Sequence, residues 1–467
     1  MILGGKIVKS IHCVGIGGIG ISALAEILLK KGYRISGSDI APNKNTERLC
    51  RLGADITFHH NSNAIIKADC AVYSSAISLN NPECVAAQQI NIPLLKRGQM
   101  LSKMTKSYQS IAVSGSHGKT TTSALLSKVF ITAGLDPTCV IGGFLKDIQV
   151  SARLGSGPYF IAEVDESDAS LLYMRPNIGI ITNIDSDHLS TYEGDFNLLK
   201  KTYVEFIHQI SKEGVVILCI DDPILNELIP TLSKRVITYG FSLKADYRAD
   251  YYLQRGLRSY FRVYRSSKDR ALPLSVEINL VGYHNVLNTL AVIAVSEWIG
   301  IDEKKLLQSL MQFSGVERRF DVKGNMLLSN GQAIIVEDYG HHPNEIRATL
   351  SAARAVWPDG RRVVLVFQPH RYSRTQVLLN DFASVLIESD LLILLEVYSA
   401  GEAFLPKADG KTLLKVIRSK TDKKIFFVSE LRDLPSMLRK LVRPNDVIIL
   451  QGAGNIGSIA VDLIRSS

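Results

Sequence analysis

The stretch "SIAVSGSHGKTTTSALL", residues 110–126, decides the fold of the central part of the chain. An apolar run leads into glycines, a lysine and three threonines, and an apolar run follows, so the pattern predicts a strand, a tight loop and a helix. Backbone N–H groups and the helix dipole of such a loop bind phosphates. The phosphates of a nucleoside triphosphate are therefore expected at Gly115, Ser116, His117, Gly118, Lys119, Thr120 and Thr121.

The loop is shorter than a full Walker A motif, which would have a glycine at position 113, where this chain has Val113. Lys119 is still expected to reach the terminal phosphates, and Thr120 to ligate Mg²⁺. A glycine-rich turn with a surface lysine is the alternative, but glycine, lysine and hydroxyl residues coincide here at a strand-to-helix junction.

Acidic residues end the next predicted strand, "YFIAEVDESD", and Mg²⁺ prefers oxygen ligands. Glu163 directly follows the apolar run and is the first candidate ligand, ahead of Asp165, Glu166 and Asp168. The following strand brings Asp185, Asp187 and His188 to the same edge of the sheet. A lone histidine more often caps a helix or packs in a core, but beside a phosphate loop His188 is interpreted as a metal ligand.

A second glycine loop precedes the first. In "IHCVGIGGIGISAL", residues 11–24, the glycines Gly15, Gly17 and Gly20 form G-x-G-x-x-G, with Gly18 between them, and Asp39 ends the next predicted strand. This pattern predicts a pyrophosphate site at a helix N-terminus and would suit a nicotinamide dinucleotide. A plain tight turn is the alternative. The third match, "GAGNIG" at residues 452–457, has no following strand and is interpreted as a turn with close packing.

Composition narrows the class of protein. The 467 residues are 46% hydrophobic and 21% charged, which fits a soluble chain of two or three domains. The net charge of +9 is spread along the sequence, and aromatic residues make up only 7%, so we expect no nucleic-acid binding. No apolar run is long enough to span a membrane. Six scattered cysteines and a start without a cleavage pattern predict a reduced, cytoplasmic protein.

Short apolar runs alternate with helical patterns along most of the chain, which predicts three α/β domains in series. A polar break is expected at "KRGQMLSKMTKSYQ", residues 96–109, and a small antiparallel sheet in residues 245–282. The predicted domains are 1–107, 108–321 and 322–467.

Nine motifs occur in order across the whole chain: "VGIGGIGISALAE", "SGSHGKTTT", "AEVDESDAS", "TNIDSDHLSTYEGDF", "GYHNVLNTLAV", "GVERRF", "EDYGHHPNEI", "QPHRYSR" and "QGAGNIG". Together they resemble the ATP-dependent Mur ligases of bacterial peptidoglycan synthesis, and "DYGHHP" and "PHRYSR" point to the branch that adds L-alanine. The resemblance implies a Rossmann-like N-terminal domain, a central P-loop ATPase-like domain and a Rossmann-like C-terminal domain. It also implies ATP and Mg²⁺ as cofactors, UDP-N-acetylmuramate and L-alanine as substrates, and a monomer or weak homodimer.

The resemblance assigns further residues by motif. The first glycine loop would hold the UDP diphosphate, with His60 and Ser75 on the uridine side, and Lys119, Thr120, Glu163 and His188 would serve ATP and Mg²⁺. The adenine site would be Asn285 and Asn288, Arg319 would approach the phosphates, and Asp338 would contact the ribose. The alanine and acceptor site would contain Tyr339, His341, Arg371 and Arg374. His341 or His342 is a candidate proton acceptor, and Arg371 and Arg374 would share a face if their segment is helical.

The chain departs from the family pattern at Ser116, Val164 and Ser190. Thr202 occupies the register where later members of the family carry a carbamylated lysine, so no carbamate is expected. Three alternatives remain open: a related ligase that joins a peptide, a nicotinamide-dependent dehydrogenase, and an ATP switch without catalysis.

Overall fold

The computed structural model describes residues 1–3, 5–147, 150–266 and 272–465. They form two compact units. The first comprises Met1–Asp250, Arg262–Val276 and Leu287–Ser314, and the second Tyr251–Phe261, Glu277–Val286 and Gly315–Ser467.

A parallel five-stranded sheet forms the N-terminal part of the first unit, after a small antiparallel pair of strands. The strands are β1 Ile2–Leu3, β2 Lys6–Ile7, β3 Ser10–Val14, β4 Arg34–Ser38, β5 Asp55–Thr57, β6 Cys70–Tyr73 and β7 Leu94–Lys96, and the helices are α1 Ile19–Lys30, α2 Lys44–Arg51, α3 Pro82–Gln89 and α4 Arg97–Thr105. The sheet order is β5-β4-β3-β6-β7. β3 and β6 are buried along almost their whole length, as parallel strands between helices are.

The polar stretch at residues 96–109, where the sequence predicts a domain break, is largely helix α4, and the break itself stays a prediction. Met100, Leu101 and Met104 are buried on one side of α4, spaced as in an amphipathic helix, although the stretch looks polar overall.

The central sheet has ten strands in the order β10-β9-β11-β8-β12-β13-β14-β15-β16-β17. These strands are β8 Gln109–Ser114, β9 Thr138–Leu145, β10 Val150–Arg153, β11 Tyr159–Glu163, β12 Ile178–Ile181, β13 Val215–Cys219, β14 Arg235–Gly240, β15 Tyr247–Arg255, β16 Arg258–Arg265 and β17 Leu274–Ile278. The helices are α5 Lys119–Thr132, α6 Phe196–Gln209, α7 Pro223–Leu228, α8 Tyr283–Ile299 and α9 Glu303–Gln312.

Strand β8 lies between its parallel neighbours β11 and β12, so the loops that follow these three strands meet at one edge of the sheet. The expected antiparallel region contains β15, β16 and β17, which extend the edge of this sheet rather than standing apart from it. Residues 267–271 of that region lie outside the described residues.

A six-stranded sheet in the order β18-β19-β23-β20-β21-β22 forms the centre of the second unit. Its strands are β18 Asp321–Leu328, β19 Gly331–Asp338, β20 Val363–Phe367, β21 Leu391–Leu395, β22 Ile425–Val428 and β23 Val447–Gln451, and its helices are α10 Pro343–Val356, α11 Tyr372–Val377, α12 Leu379–Leu386, α13 Gly410–Arg418, α14 Leu434–Leu441 and α15 Ile459–Arg465. Apolar cores cover both faces of this sheet. The carboxyl ends of β19, β20 and β23 lie side by side, which places Asp338 next to Gln451.

None of the described helices is both long and apolar enough to cross a membrane.

Candidate active site

The predicted phosphate loop lies between β8 and α5, at the edge of the central sheet. Gly115 and Gly118 have φ of 128° and 84°, a region that residues with a Cβ rarely adopt. A Cβ on Gly115 would also collide with Thr182, and one on Gly118 with the carboxamide of Asn288. The conformation of the loop therefore requires glycine at both positions.

Side chains of the loop attach it to the segment that follows β12. The backbone N–H of Asp185 donates to Ser116 Oγ at 2.8 Å, and His117 Nε2 lies 2.9 Å from Asp185 Oδ2. The N–H of His117 donates to Asn183 Oδ1 at 2.8 Å. Ser116 and His117 thus hold the loop in place. Direct contacts of these side chains, and of the buried Thr121, with a nucleotide stay predictions.

Lys119 lies folded over the loop and is paired with a buried carboxylate. Its Nζ donates to Gly115 O at 2.6 Å and to the Glu166 carboxylate at 2.7 and 3.0 Å. Burial would lower the pKa of Lys119, but Glu166 and Asp165 outweigh it and raise that pKa. Burial raises the pKa of Glu166 to about 8, although Lys119 opposes the shift. The ammonium is therefore charged, and Glu166 positions it.

Thr120 and Glu163 are brought together, as the metal prediction requires. Thr120 Oγ1 donates to Glu163 Oε1 at 3.0 Å, and Glu163 Oε2 accepts from the N–H of Gly142 at 2.7 Å. Ser123 Oγ lies 3.4 Å from the same Oε2. A hydroxyl and a carboxylate oxygen so close together, next to a phosphate loop, form a donor set that suits Mg²⁺.

His188 follows β12 in a left-handed conformation, with φ of 56°. Its Nε2 is 3.5 Å from Asp187 Oδ2. Burial would raise the pKa of Asp165, but Lys119, Arg97 and His188 together lower it below its ordinary value. His188 thus lies near the acidic cluster, and its role as a metal ligand stays a prediction.

The predicted adenine residues are both buried near the start of α8. Asn288 packs against Gly118 of the phosphate loop. Asn285 Nδ2 donates to Val281 O at 2.8 Å and lies 3.1 Å from His284 Nε2. These contacts are packing and helix-start contacts, and a role at adenine stays a prediction for both.

The first glycine loop joins β3 to α1. Gly15 has φ of 75°, and the N–H of Gly17 donates to Asp39 Oδ2 at 2.7 Å. Asn45 Nδ2 donates to Gly17 O at 2.8 Å. Asp39 therefore binds the loop itself, whereas the dinucleotide pattern would aim this acid at a ribose. The first N–H groups of α1 have no helical acceptor and can bind an anion.

Arg97, the first residue of α4, lies beside the first glycine loop and the acidic segment that follows β11. Its Nε and Nη2 donate to Asp168 Oδ2 at 3.2 and 3.0 Å. At Gly20, a Cβ would lie 2.7 Å from Cδ of Arg97 and 3.2 Å from Nη1. Burial would lower the pKa of Arg97, but Asp168 and Asp165 outweigh it and raise that pKa. A permanent cation therefore contacts both the acidic segment and the first glycine loop.

On the uridine side, His60 belongs to a buried polar cluster around Glu83. His60 Nδ1 is 3.0 Å from Ser38 Oγ and 3.3 Å from Glu83 Oε2. Burial would raise the pKa of Glu83, but hydrogen bonds from His12, Ser38 and the backbone lower it to about 2. Ser75 is exposed just after β6. The cluster fixes the ring of His60, and contact with uridine stays a prediction for both residues.

In the second unit, Asp338 ends β19 and is buried. Its carboxylate accepts from the N–H of Phe320 at 2.8 Å and of Gly340 at 2.7 Å. Burial raises the pKa of Asp338, while Arg319 opposes the shift. Both oxygens thus already bind the main chain, and the predicted ribose contact stays a prediction.

Four rings form a row in the second unit. The centroids of Tyr339 and His341 are 5.4 Å apart, those of His341 and His370 5.9 Å, and those of His370 and Tyr398 5.6 Å. The Arg319 guanidinium lies 5.0 Å from the Tyr339 centroid. The predicted residues Tyr339, His341 and Arg319 are therefore together, and the row adds His370 and Tyr398.

Neighbouring residues of this row have supporting roles. His342 caps α10, with its Nδ1 3.4 Å from the N–H of Asn344. Arg318 Nη2 donates to the carbonyl oxygens of Gly452 and Gly454. A Cβ on Gly454 would lie 2.7 Å from the Tyr398 ring, so the close packing predicted for "GAGNIG" is confirmed.

Arg371 and Arg374 do not share a helical face. Helix α11 begins at Tyr372, and Arg371 precedes it with φ of 71°. Arg374 lies inside the helix, is only 9% exposed, and places Nη1 3.4 Å from His370 Nδ1. The Arg374 side chain thus reaches His370 of the row, whereas Arg371 contacts the row through its N–H, which donates to Tyr398 O at 2.8 Å.

Three family models match the chain in succession. "Mur ligase family, catalytic domain" matches residues 10–109, "Mur ligase middle domain" 113–296, and "Mur ligase, glutamate ligase domain" 318–454. A UDP-N-acetylmuramate–L-alanine ligase from Coxiella burnetii (strain Dugway 5J108-111) is 59% identical over 461 residues, which are 99% of this chain and 98% of that relative. The chain belongs to the Mur ligase family.

Solved structures of Mur ligases have the same fold. A UDP-N-acetylmuramate–alanine ligase from Thermotoga maritima has a TM-score of 0.82 at 29% identity, with 98% of this chain and 99% of that one covered. A murein peptide ligase from Psychrobacter arcticus has a TM-score of 0.72 at 21% identity and 98% coverage of both chains, which shows the fold alone. The prediction of three α/β domains in series is confirmed. The boundaries after residues 107 and 321 stay predictions.

Several residues of this Mur ligase site were missed by the sequence interpretation. Glu166 belongs to a run of four acids, and nothing in the run marks it as the partner of Lys119. Arg97 lies in a stretch interpreted as a break. The carboxylate of Glu83 contacts Ser38 and His60, which are distant in the sequence, so no local pattern reveals its role. His370 belongs to the motif "PHRYSR", and its place four residues before Arg374 is the signal that could have identified it.

Proposed function

We propose that this Mur ligase uses ATP to join L-alanine to the lactyl carboxylate of UDP-N-acetylmuramate, the first amino-acid addition in peptidoglycan precursor synthesis. The observation that carries the proposal is the 59% identity to an alanine ligase along almost the whole chain. The geometry supports it, because the first unit has two glycine loops suited to phosphates and the second has a row of rings beside a buried arginine.

The two loops have different tasks in this proposal. The loop at Gly15 binds the UDP diphosphate as a handle, and the loop at Gly118 binds the ATP that is consumed. The chain has two such loops because the reaction needs two nucleotides, one that is kept and one that is consumed. It also makes a nicotinamide dehydrogenase unnecessary as an explanation of the first loop, where Asp39 bonds to Gly17.

A carboxylate and an amine form a salt at neutral pH, so the carboxylate has to be activated. A carboxylate oxygen attacks the γ-phosphorus of ATP, the bond to the β-phosphate oxygen breaks, and an acyl phosphate and ADP form. The amine of alanine then attacks the acyl carbon, and phosphate leaves with the carboxylate oxygen while a proton leaves the nitrogen.

In the first step two anions approach each other, and the protein has to offset their repulsion. Lys119 supplies a charged ammonium at the phosphate loop and would exchange Glu166 for a phosphate oxygen. Thr120, Glu163 and His188 would hold Mg²⁺, which supplies further positive charge to the phosphates when bound. Arg319 and the adenine residues Asn285 and Asn288 complete the proposed ATP site, with Asp338 at the ribose.

In the second step the amine has to be neutral. Arg374 would bind the alanine carboxylate, with Tyr339 and Arg371 beside it. His341 is the proposed proton acceptor, since an imidazole titrates near neutrality and His342 is engaged as a helix cap.

The test is release of ADP from Mg-ATP in the presence of UDP-N-acetylmuramate and each of the twenty amino acids singly. Turnover that needs both the nucleotide sugar and L-alanine supports the proposal. Turnover with a tripeptide in place of alanine would identify a peptide ligase and refute the substrate. Folded protein without ADP release in any combination would refute the ligase reaction itself.

We further propose that the protein acts in the cytoplasm as a monomer or weak homodimer. Sedimentation of the protein over a range of concentrations tests the oligomeric state, and a stable assembly larger than a dimer would contradict it.

A further inference from the structure

We infer that Arg97 binds the diphosphate of the nucleotide sugar and is held in position for it by Asp168. The inference rests on the proposed function, because it concerns the substrate of the first glycine loop. Nothing in the motifs of the chain assigns Arg97 a role, since it lies in a stretch that looks like a polar break.

Geometry places the guanidinium at the loop. A Cβ on Gly20 would lie 3.2 Å from both Nε and Nη1 of Arg97. Gly20 is the second residue of α1, in the turn whose N–H groups have no helical acceptor. The last glycine of the loop therefore leaves room for the arginine to lie against the anion-binding end of the helix.

The ion pair leaves one side of the guanidinium free. Nε and Nη2 donate to Asp168 Oδ2, and Nη2 lies 3.4 Å from Ser170 Oγ. Within the described part of the chain, Nη1 donates no hydrogen bond. The Arg97 side chain is only 13% exposed, so this donor is held near the loop rather than moving freely in solvent.

The loop needs a cation from elsewhere. The N–H of Gly17 already donates to Asp39 Oδ2, so a carboxylate occupies part of the loop and would repel a diphosphate. A guanidinium is always charged and its fork of donors matches phosphate oxygens. Arg97 supplies the charge that offsets Asp39.

The packing of α4 fixes this position. A Cβ on Gly98 would collide with Ser170, and Ser102 Oγ donates to Tyr173 O at 2.6 Å. The start of α4 is therefore wedged against the segment that follows the acidic run. Arg97 is thus a preorganised donor with little freedom left to lose on binding.

The test compares the binding of UDP and of uridine by calorimetry, with folding of each variant checked by circular dichroism. Arg97→Ala should weaken UDP about 10- to 100-fold, the loss typical of a charge-assisted hydrogen bond, and leave uridine unchanged. Arg34→Ala is the matched control. This exposed arginine begins β4, at the amino ends of the strands and thus at the opposite end of the sheet from the glycine loop, and its loss should change neither affinity.

Asp168→Asn distinguishes direct binding of the diphosphate by Arg97 from a purely structural role of the Arg97–Asp168 ion pair. It removes the charge that positions Arg97 but leaves the guanidinium, so UDP affinity should fall several-fold, by less than in Arg97→Ala. Equal losses of UDP affinity in Arg97→Ala and Asp168→Asn would overturn the inference, as would unchanged UDP affinity in Arg97→Ala.

If Arg97→Ala does not fold, Arg97→Lys decides the question. It should weaken UDP several-fold more than uridine, because a compact ammonium lacks the planar fork of donors that reaches Asp168 on one side and the loop on the other, and equal effects on the two ligands would overturn the inference. Wild-type protein that does not bind UDP-N-acetylmuramate would instead refute the proposed function, and the two failures are therefore distinguishable.

Discussion

Replacing Glu166 by glutamine should remove a fall in stability that the wild-type protein shows as the pH rises toward about 8. Glu166 is fully buried, and burial raises the pKa of its carboxyl from 4.5 to about 8. The folded protein therefore binds a proton that the unfolded chain has released. This contribution is fully present below about pH 4.5 and is lost as the pH rises through about 8.

Between about pH 6 and about pH 9 the free energy of unfolding should fall by roughly 2 to 3 kcal/mol on account of Glu166 alone. Its two charged neighbours do not titrate in this range. The pKa of Asp165 is below its ordinary value and that of Lys119 is above it. Glutamine keeps the shape and an acceptor for Lys119 but cannot release a proton, so the variant should lack this fall.

The assay is urea unfolding followed by tryptophan fluorescence. The chain has two tryptophans, and Trp357→Phe leaves only Trp298, which belongs to the same compact unit as Glu166. Glu213→Gln removes the same charge at an exposed position and serves as the control. An equal loss of stability from pH 6 to pH 9 in wild type and Glu166→Gln would refute the reasoning.

Three further outcomes are expected. Lys119→Ala should abolish ADP release and leave calorimetric binding of the nucleotide sugar unchanged, because the two loops are separate; loss of both in folded protein would contradict this. Thr120→Val removes the hydroxyl bonded to Glu163 and should raise the Mg²⁺ concentration for half-maximal ADP release about 10-fold, so an unchanged Mg²⁺ titration would exclude Thr120 as a ligand. Arg374→Ala should raise the KM for alanine far more than the KM for ATP, and equal increases would remove Arg374 from the amino-acid site.

The sequence predicts local features of the first unit well because each depends on neighbours in the chain. The glycines at 115 and 118, the following Lys119 and the strand before them are one continuous segment, and their loop forms as expected. Glu163 reaches Thr120 because parallel strands align their carboxyl ends, a rule that needs only the order of the elements.

What the sequence leaves open depends on contacts between distant segments. Arg97 and Asp168 are 71 residues apart, and their pairing follows from the packing of α4. Arg371 and Arg374 show the opposite error, since spacing within a segment does not reveal that α11 begins one residue after Arg371. Asp39 also differs from its predicted role. The dinucleotide pattern predicts a ribose contact, but the carboxylate accepts from the N–H of Gly17 in the preceding loop.

In the proposed reaction one nucleotide serves as a handle, and the other activates the carboxylate as an acyl phosphate. The most direct measurement uses UDP-N-acetylmuramate with ¹⁸O in both lactyl carboxylate oxygens, and mass spectrometry of the phosphate released in the presence of ATP and L-alanine. Each phosphate released should contain one ¹⁸O atom, and the product should keep an intact UDP moiety. Phosphate without ¹⁸O, formed together with the amide, would contradict this reaction.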